Sequence, residues 1–160
     1  VISRLDPAHR INRLVTISTP HRGSAMAEWI LNSPRGLNSL ARWLGRPGLE
    51  DLGRDASDRF NATTPDRSDV AYSSYAASRP VKEIPLFFRR WARIISDEEG
   101  SDNDSQVSVE SAKWGEFKGT LAADHLELLG WRLGRWRNTQ TFDHIRFYRE
   151  LVSSVVVRPD

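Results

Sequence analysis

The chain has no cysteine, a single methionine, and no apolar run that approaches the length of a membrane span. Without cysteine there is no disulfide, no thiol nucleophile and no cysteine-ligated zinc. A transmembrane helix needs about 18 or more consecutive apolar residues, and none of the 160 residues lie in such a run. Internal repeats and low-complexity tracts are also missing, which removes solenoids and repeat arrays. Charge of one sign is scarce, because 23 basic residues meet 21 acidic ones for a net +2. The compartment stays open between an extracellular and a membrane- or organelle-associated one.

What is present is enough for one domain or part of one. The apolar fraction is 39%, so a core can form and long disorder is not expected, apart from 50–68 and 96–105. The basic residues are almost all Arg. Local clusters stand at Arg89, Arg90 and Arg93, and at Arg132, Arg135 and Arg137, beside Trp91, Trp131 and Trp136. Such a pattern serves a solvated face with snorkelling stems, an interfacial helix on lipid, or a nucleic-acid surface. No nucleic-acid module signature accompanies the clusters, so nucleic acid is not an expected partner.

Hydrophobic patterning gives an α/β order. Residues 11–18 carry Ile11, Leu14, Val15 and Ile17 in a nearly continuous apolar run. Such a run suits a parallel strand covered on both faces, and a central place in the sheet is expected. Ser24 is placed to cap a helix over 25–31. Residues 35–68, with helical spacing at Leu37, Leu40 and Leu44 and a second short helix over 49–60, read as an insertion packed over the sheet. Residues 70–77 read as a strand. Residues 84–95 read as an amphipathic helix with Pro85 in its first turn. Val107 to Val109 fits a very short strand or a loop. A stretch from Leu121 to Leu133 holds His125 in apolar surroundings, and 142–155 is the clearest helix. Val1 to Leu5 reads as a helix tail stopped by Asp6-Pro7, which raises the expectation of preceding chain.

Three segments carry chemistry. Thr19-Pro20-His21-Arg22-Gly23-Ser24 is a strand-end turn. Asn103-Asp104-Ser105-Gln106-Val107 lies in an acidic turn, and Ala123-Asp124-His125-Leu126-Glu127 follows it. An acid followed by a His is the tail of the chain order Ser, acid, His found in one class of triad hydrolases. No Gly-x-Ser-x-Gly occurs anywhere, so the strained elbow that exposes such a Ser is absent. Ser18 and Ser24 lack that setting. On residues alone, Asp102 competes with Asp104 for the acid, and His144 with His125 for the base. His9 reads as surface, and His21 as a brace of its loop.

These segments, in this order, resemble the triacylglycerol lipases of the α/β-hydrolase superfamily. The resemblance rests on Thr19 to Ser24, on Asn103 to Gly115 and on His125-Leu126-Glu127, and covers nearly the whole chain. It implies the C-terminal half of an α/β-hydrolase fold over 1–160, a mostly parallel sheet flanked by helices, with 35–68 and 84–95 as helical cap or lid segments. It implies Asp104 as catalytic acid and His125 as catalytic base, and an N-terminal half elsewhere that carries the nucleophile Ser. The family follows its acid with Gly where this chain has Ser105, a position expected to demand left-handed backbone. The implied substrates are carboxylic esters, triacylglycerols among them, and contact with a lipid surface or membrane is expected. The triad chemistry requires no cofactor. Some family members bind calcium through an acidic residue two places after the His, and Glu127 stands there. The alternative function is a non-catalytic scaffold or a subunit of a larger assembly.

Overall fold

The computed structural model describes residues 2–32, 45–133 and 141–155. Three strands, β1 Arg13–Ile17, β2 Ala71–Ala77 and β3 Glu116–Leu121, form a parallel sheet in the order β1-β2-β3. Leu14 pairs with Tyr72 and Ile17 with Tyr75 across β1 and β2. On the other side Ser74 pairs with Phe117 and Tyr75 with Gly119, so the register of β3 skips a residue there.

Side chains alternate across the sheet, and both faces are covered. On one face Ala76 packs with Val107 and Ala112. On the other, Ala77 packs with Ala123 and Leu128, against which Ile17, Leu121 and Phe142 lie. That second face also takes a helix, α8 His144–Val155, whose Phe147 meets the edge of Tyr75. Coverage of both faces is the condition under which parallel strands are stable, because their crossovers place helices above and below.

The remaining α-helices among the described residues are α1 Ile2–Leu5, α2 Ala25–Asn32, α3 Arg46–Asp51, α4 Arg54–Thr63, α5 Arg89–Glu99, α6 Val109–Ala112 and α7 His125–Leu128. Gly23 lets the turn after β1 touch the start of α4, since a Cβ there would come within 2.7 Å of the Arg54 backbone. Asn61 on α4 donates to the carbonyl of His21 at 2.8 Å, and α4 is thereby tied to the strand-end turn. Trp29 and Trp91 meet edge to face between α2 and α5, and Arg90 lies over the Trp29 ring at 4.6 Å. The Arg–Trp pattern of residues 89–93 is thus partly spent on helix packing.

Several expectations need correction. Among the described residues β1 stands at one side of the three strands with β2 as its partner, and its outer edge is where further strands could pair. A continuous apolar run reports cover on both faces, not a neighbour on both edges. Strand β3 was not expected. Its side chains are largely exposed and Gly119 interrupts it, so it lacks the apolar signal of a buried strand. The helix expected over 84–95 starts later. Two 3₁₀ turns, Val81–Glu83 and Leu86–Phe88, precede it, and Pro85 caps the second turn. In the stretch over 121–133, for which no element is expected, Leu121 closes β3 and His125–Leu128 form α7. Val107 lies in a loop and Val109 opens α6. The helix expected over 49–60 is two helices parted at Leu52-Gly53. Residues 35–44 of the expected insertion, and Arg135, Trp136 and Arg137, lie outside the described residues.

Candidate active site

The acid-bearing loop follows α5, which ends on Gly100 in left-handed conformation. Asn103 anchors the loop from within. Its amide donates to the carbonyl of Ala92 and the hydroxyl of Ser96, both at 3.0 Å, and its Oδ1 accepts the Ser105 N–H at 2.9 Å. Ser105 takes φ +83°, so the left-handed position is real and a Ser occupies it. For a non-glycine residue this costs roughly 1–2 kcal/mol. The side-chain turn made by Asn103 holds that conformation in place. Asp104 is fully buried. Its Oδ1 accepts the N–H groups of Gln106 at 3.0 Å and Val107 at 2.8 Å.

The His-bearing loop leaves the carboxyl end of β3. Asp124 caps α7, accepting the N–H groups of Leu126 and Glu127 at 2.9 Å, while Glu127 accepts the Asp124 N–H at 3.0 Å. This reciprocal capping box sets where His125 leaves the backbone. His125 Nδ1 lies 2.7 Å from Asp104 Oδ2. The two residues also meet through the main chain, where His125 N–H donates to the Asp104 carbonyl at 2.9 Å. The His125 side chain is 26% exposed. Among the described residues nothing hydrogen-bonds its Nε2. Burial disfavours the imidazolium, but the hydrogen bond and charge of Asp104, aided by the charge of Asp124, outweigh it. The ring's pKa stands above its ordinary value. Burial raises the pKa of Asp124 itself.

The other sequence candidates sit elsewhere. Asp102 is exposed. The ring of His144 rests against Gly130, where a Cβ would come within 2.5 Å of its Nε2. His9 pairs with Asp69 at 2.7 Å. His21 stacks on Trp114 and reaches the Thr16 hydroxyl at 3.0 Å, and its burial lowers its pKa. Ser18 is buried. Ser24 does not cap α2 through its hydroxyl, which donates to the Gln106 carbonyl at 2.8 Å. Glu99 instead accepts the Ala25 N–H at 3.0 Å.

Glu127 has a partner of its own. Arg79 spans its carboxylate, with Nε 2.9 Å from Oε2 and Nη2 3.3 Å from Oε1. Among the described residues no three acidic or His side chains cluster as metal ligands. The Glu127 carboxylate is engaged by a guanidinium on both oxygens, and the residues present around it do not fit a calcium ion. Sequence reasoning overlooked Arg79, because an Arg between a strand end and Pro80 carries no pattern. It also overlooked the latch between the first and second motifs. Arg22 donates to the carbonyls of Glu110 at 2.9 Å and Lys113 at 2.6 Å, and Ser111 donates to the carbonyl of Gly23 at 2.6 Å.

Comparison with known proteins places this geometry in context. No family model matches the chain. The chain is 34% identical to triacylglycerol lipase 2 of Saccharomyces cerevisiae (strain ATCC 204508 / S288c) over 139 residues, covering 85% of this chain and 41% of that protein. Among solved structures, a metagenomic carboxyl esterase superposes with a TM-score of 0.61 at 24% identity, over 79% of this chain and 40% of the other. Staphylococcus hyicus lipase superposes with a TM-score of 0.67 at 16% identity, over 90% of this chain and 56% of the other. The chain therefore spans less than half of the curated relative it matches.

Proposed function

We propose that this chain, a partial α/β-hydrolase fold similar to a triacylglycerol lipase, supplies the acid and base of a serine carboxylic-ester hydrolase. The observation that carries the reading is the buried Asp104 carboxylate 2.7 Å from Nδ1 of a partly exposed His125. Two backbone N–H groups fix the carboxylate, so it cannot swing away from the ring. A carboxylate on Nδ1 selects the tautomer that leaves Nε2 free as a base, and it stabilises the imidazolium formed next. A Ser on polypeptide outside this chain would attack the ester carbonyl while His125 Nε2 takes its proton. His125 would then return that proton to the leaving alcohol. Water, activated by the same ring, would release the acid from the acyl-enzyme.

Lipid esters are the favoured substrates within this reading. Leu86 and Phe87 are each 78% exposed beside Arg90 and Arg93, a combination suited to a lipid surface. The competing reading is a non-catalytic scaffold or a subunit of a larger assembly, which Ser105 in the left-handed place after Asp104 favours. Labelling with an active-site fluorophosphonate separates the two. The 160-residue chain alone should take no label. The same chain joined to the polypeptide that completes its sheet should take one label and hydrolyse short-chain or emulsified esters. His125→Ala should abolish that turnover, and His144→Ala should leave it within about threefold. A folded His125→Ala protein that works at the parent rate would end the proposal.

A further inference from the structure

Asp104 and His125 come from loops 21 positions apart, and one side chain joins the two loops from behind. Arg79 stands two residues past the end of β2. Its backbone N–H donates to the carbonyl of Asn103 at 3.2 Å, the residue before Asp104. Its guanidinium grips Glu127, two residues after His125. Glu127 in turn accepts the N–H of Asp124, the residue before His125. The contacts close into a ring that runs from Asp104 through Asn103, Arg79, Glu127, Asp124 and His125 back to Asp104. Both partners of the ion pair have side chains only 8% exposed. Glu83 approaches Arg79 Nη1 at 3.5 Å and supplies a second carboxylate.

We propose that Arg79 is a positioning residue for the Asp104–His125 pair, and that its guanidinium does for Glu127 what a bound metal ion would otherwise do. The reasoning is geometric. A planar fork fixes both oxygens of a carboxylate and so fixes its rotation, which a flexible ammonium does not. Glu127 held in that plane keeps its Oε2 on the Asp124 N–H, and the capping box then holds the backbone from which His125 projects. The other end of Arg79 holds the carbonyl of Asn103, so the acid loop and the base loop cannot drift apart. The consequence is a pair aligned without calcium. The activity arm below rests on the ester-hydrolase reading, whereas the spectroscopic arm does not.

The test uses Arg79→Met combined with Glu127→Gln. Gln retains an acceptor for the Asp124 N–H, the buried ion pair is removed as a pair, and Glu83, which also loses Arg79, has a part-exposed side chain that water reaches, so the fold should survive. Circular dichroism and a thermal melt check that it does. The reading is the downfield Nδ1 proton of His125 in a ¹⁵N-labelled sample. In the parent it should be sharp and unchanged by calcium or chelator. In the double variant it should be lost to exchange. A folded double variant with the parent's Nδ1 signal would overturn the proposal, and so would a parent signal that vanishes with chelator. If the double variant does not fold, Arg79→Lys is read the same way: a weakened signal supports the proposal and an unchanged one overturns it. In the completed enzyme, the double variant should lower kcat about 100-fold with KM nearly unchanged, as expected for a displaced base. A signal lost in the variant, in a protein that never labels with fluorophosphonate, would support the positioning role and overturn only the ester reading.

Discussion

Replacing Asp104 with Asn isolates the role of the buried carboxylate with almost no change in volume. The structure dictates how the amide must sit. Oδ1 accepts two N–H groups, from Gln106 at 3.0 Å and Val107 at 2.8 Å. An NH2 group turned toward those two donors would oppose donor to donor, so the Asn oxygen must stay there. Its NH2 then faces His125 Nδ1, now 2.7 Å from Oδ2. To accept that proton Nδ1 must be bare, which places the ring's own proton on Nε2. The base is then in the wrong tautomer for taking a proton from Ser. In triad hydrolases the same exchange lowers kcat by about 10⁴, or about 5.5 kcal/mol at 1.36 kcal/mol per decade. Titration should change too. The hydrogen bond and charge of Asp104 are what outweigh burial and raise the ring's pKa. Removing both should let burial dominate and bring the midpoint down. Imidazole ¹⁵N shifts of the folded variant report tautomer and midpoint together, and ester turnover of the completed protein reports the rate. A folded Asn variant that keeps its proton on Nδ1, or turns over at the parent rate, would refute the reasoning.

Three further outcomes follow from the same coordinates. Because the folded pKa of His125 is raised, its protonation adds stability that is fully present below the unfolded value near 6.5. That stability fades as pH rises through the folded pKa. Urea titrations of parent and Asp104→Asn protein from pH 5 to 9 should show the extra slope only in the parent. Gly115→Ala should destabilise by about 3 kcal/mol, because φ is +57° and a Cβ would collide with the Tyr72 backbone; the urea midpoint measures it. Ser105→Gly should relieve the φ +83° position and change stability by no more than about 1 kcal/mol. The His125 Nδ1 signal should be unchanged in that variant, and its loss would show that the Ser105 side chain has a role beyond backbone fit.

The parts of this chain that were legible in one dimension are those whose physics is local. The Ala-Tyr-rich run at 71–77 declares a strand whose two faces are both packed, and the apolar run at 14–17 declares one whose Ile17 joins the cluster on one of those faces. The 3.6-residue period at 144–155 declares a helix because one side of it packs on Tyr75 and Phe142. The left-handed backbone at Ser105 could be expected only through the family resemblance, which implies a Gly in that place. Strand β3 could not be read, because an exposed strand interrupted by Gly119 has no apolar face to announce it.

The sequence by itself determined the fold class and the order of the motifs, and it left Asp102 beside Asp104 and His144 beside His125 as candidates. Tertiary structure alone decided what those residues meet. Asp102 and Asp104 are two residues apart and chemically alike, yet one is exposed and the other is sealed beneath two N–H groups against a ring. The family resemblance offered the Glu127 carboxylate to a metal ion, and folding brought Arg79 across 48 positions to pair with it. The reason is that burial and charge pairing depend on distances in space, and the chain reports only distances along itself.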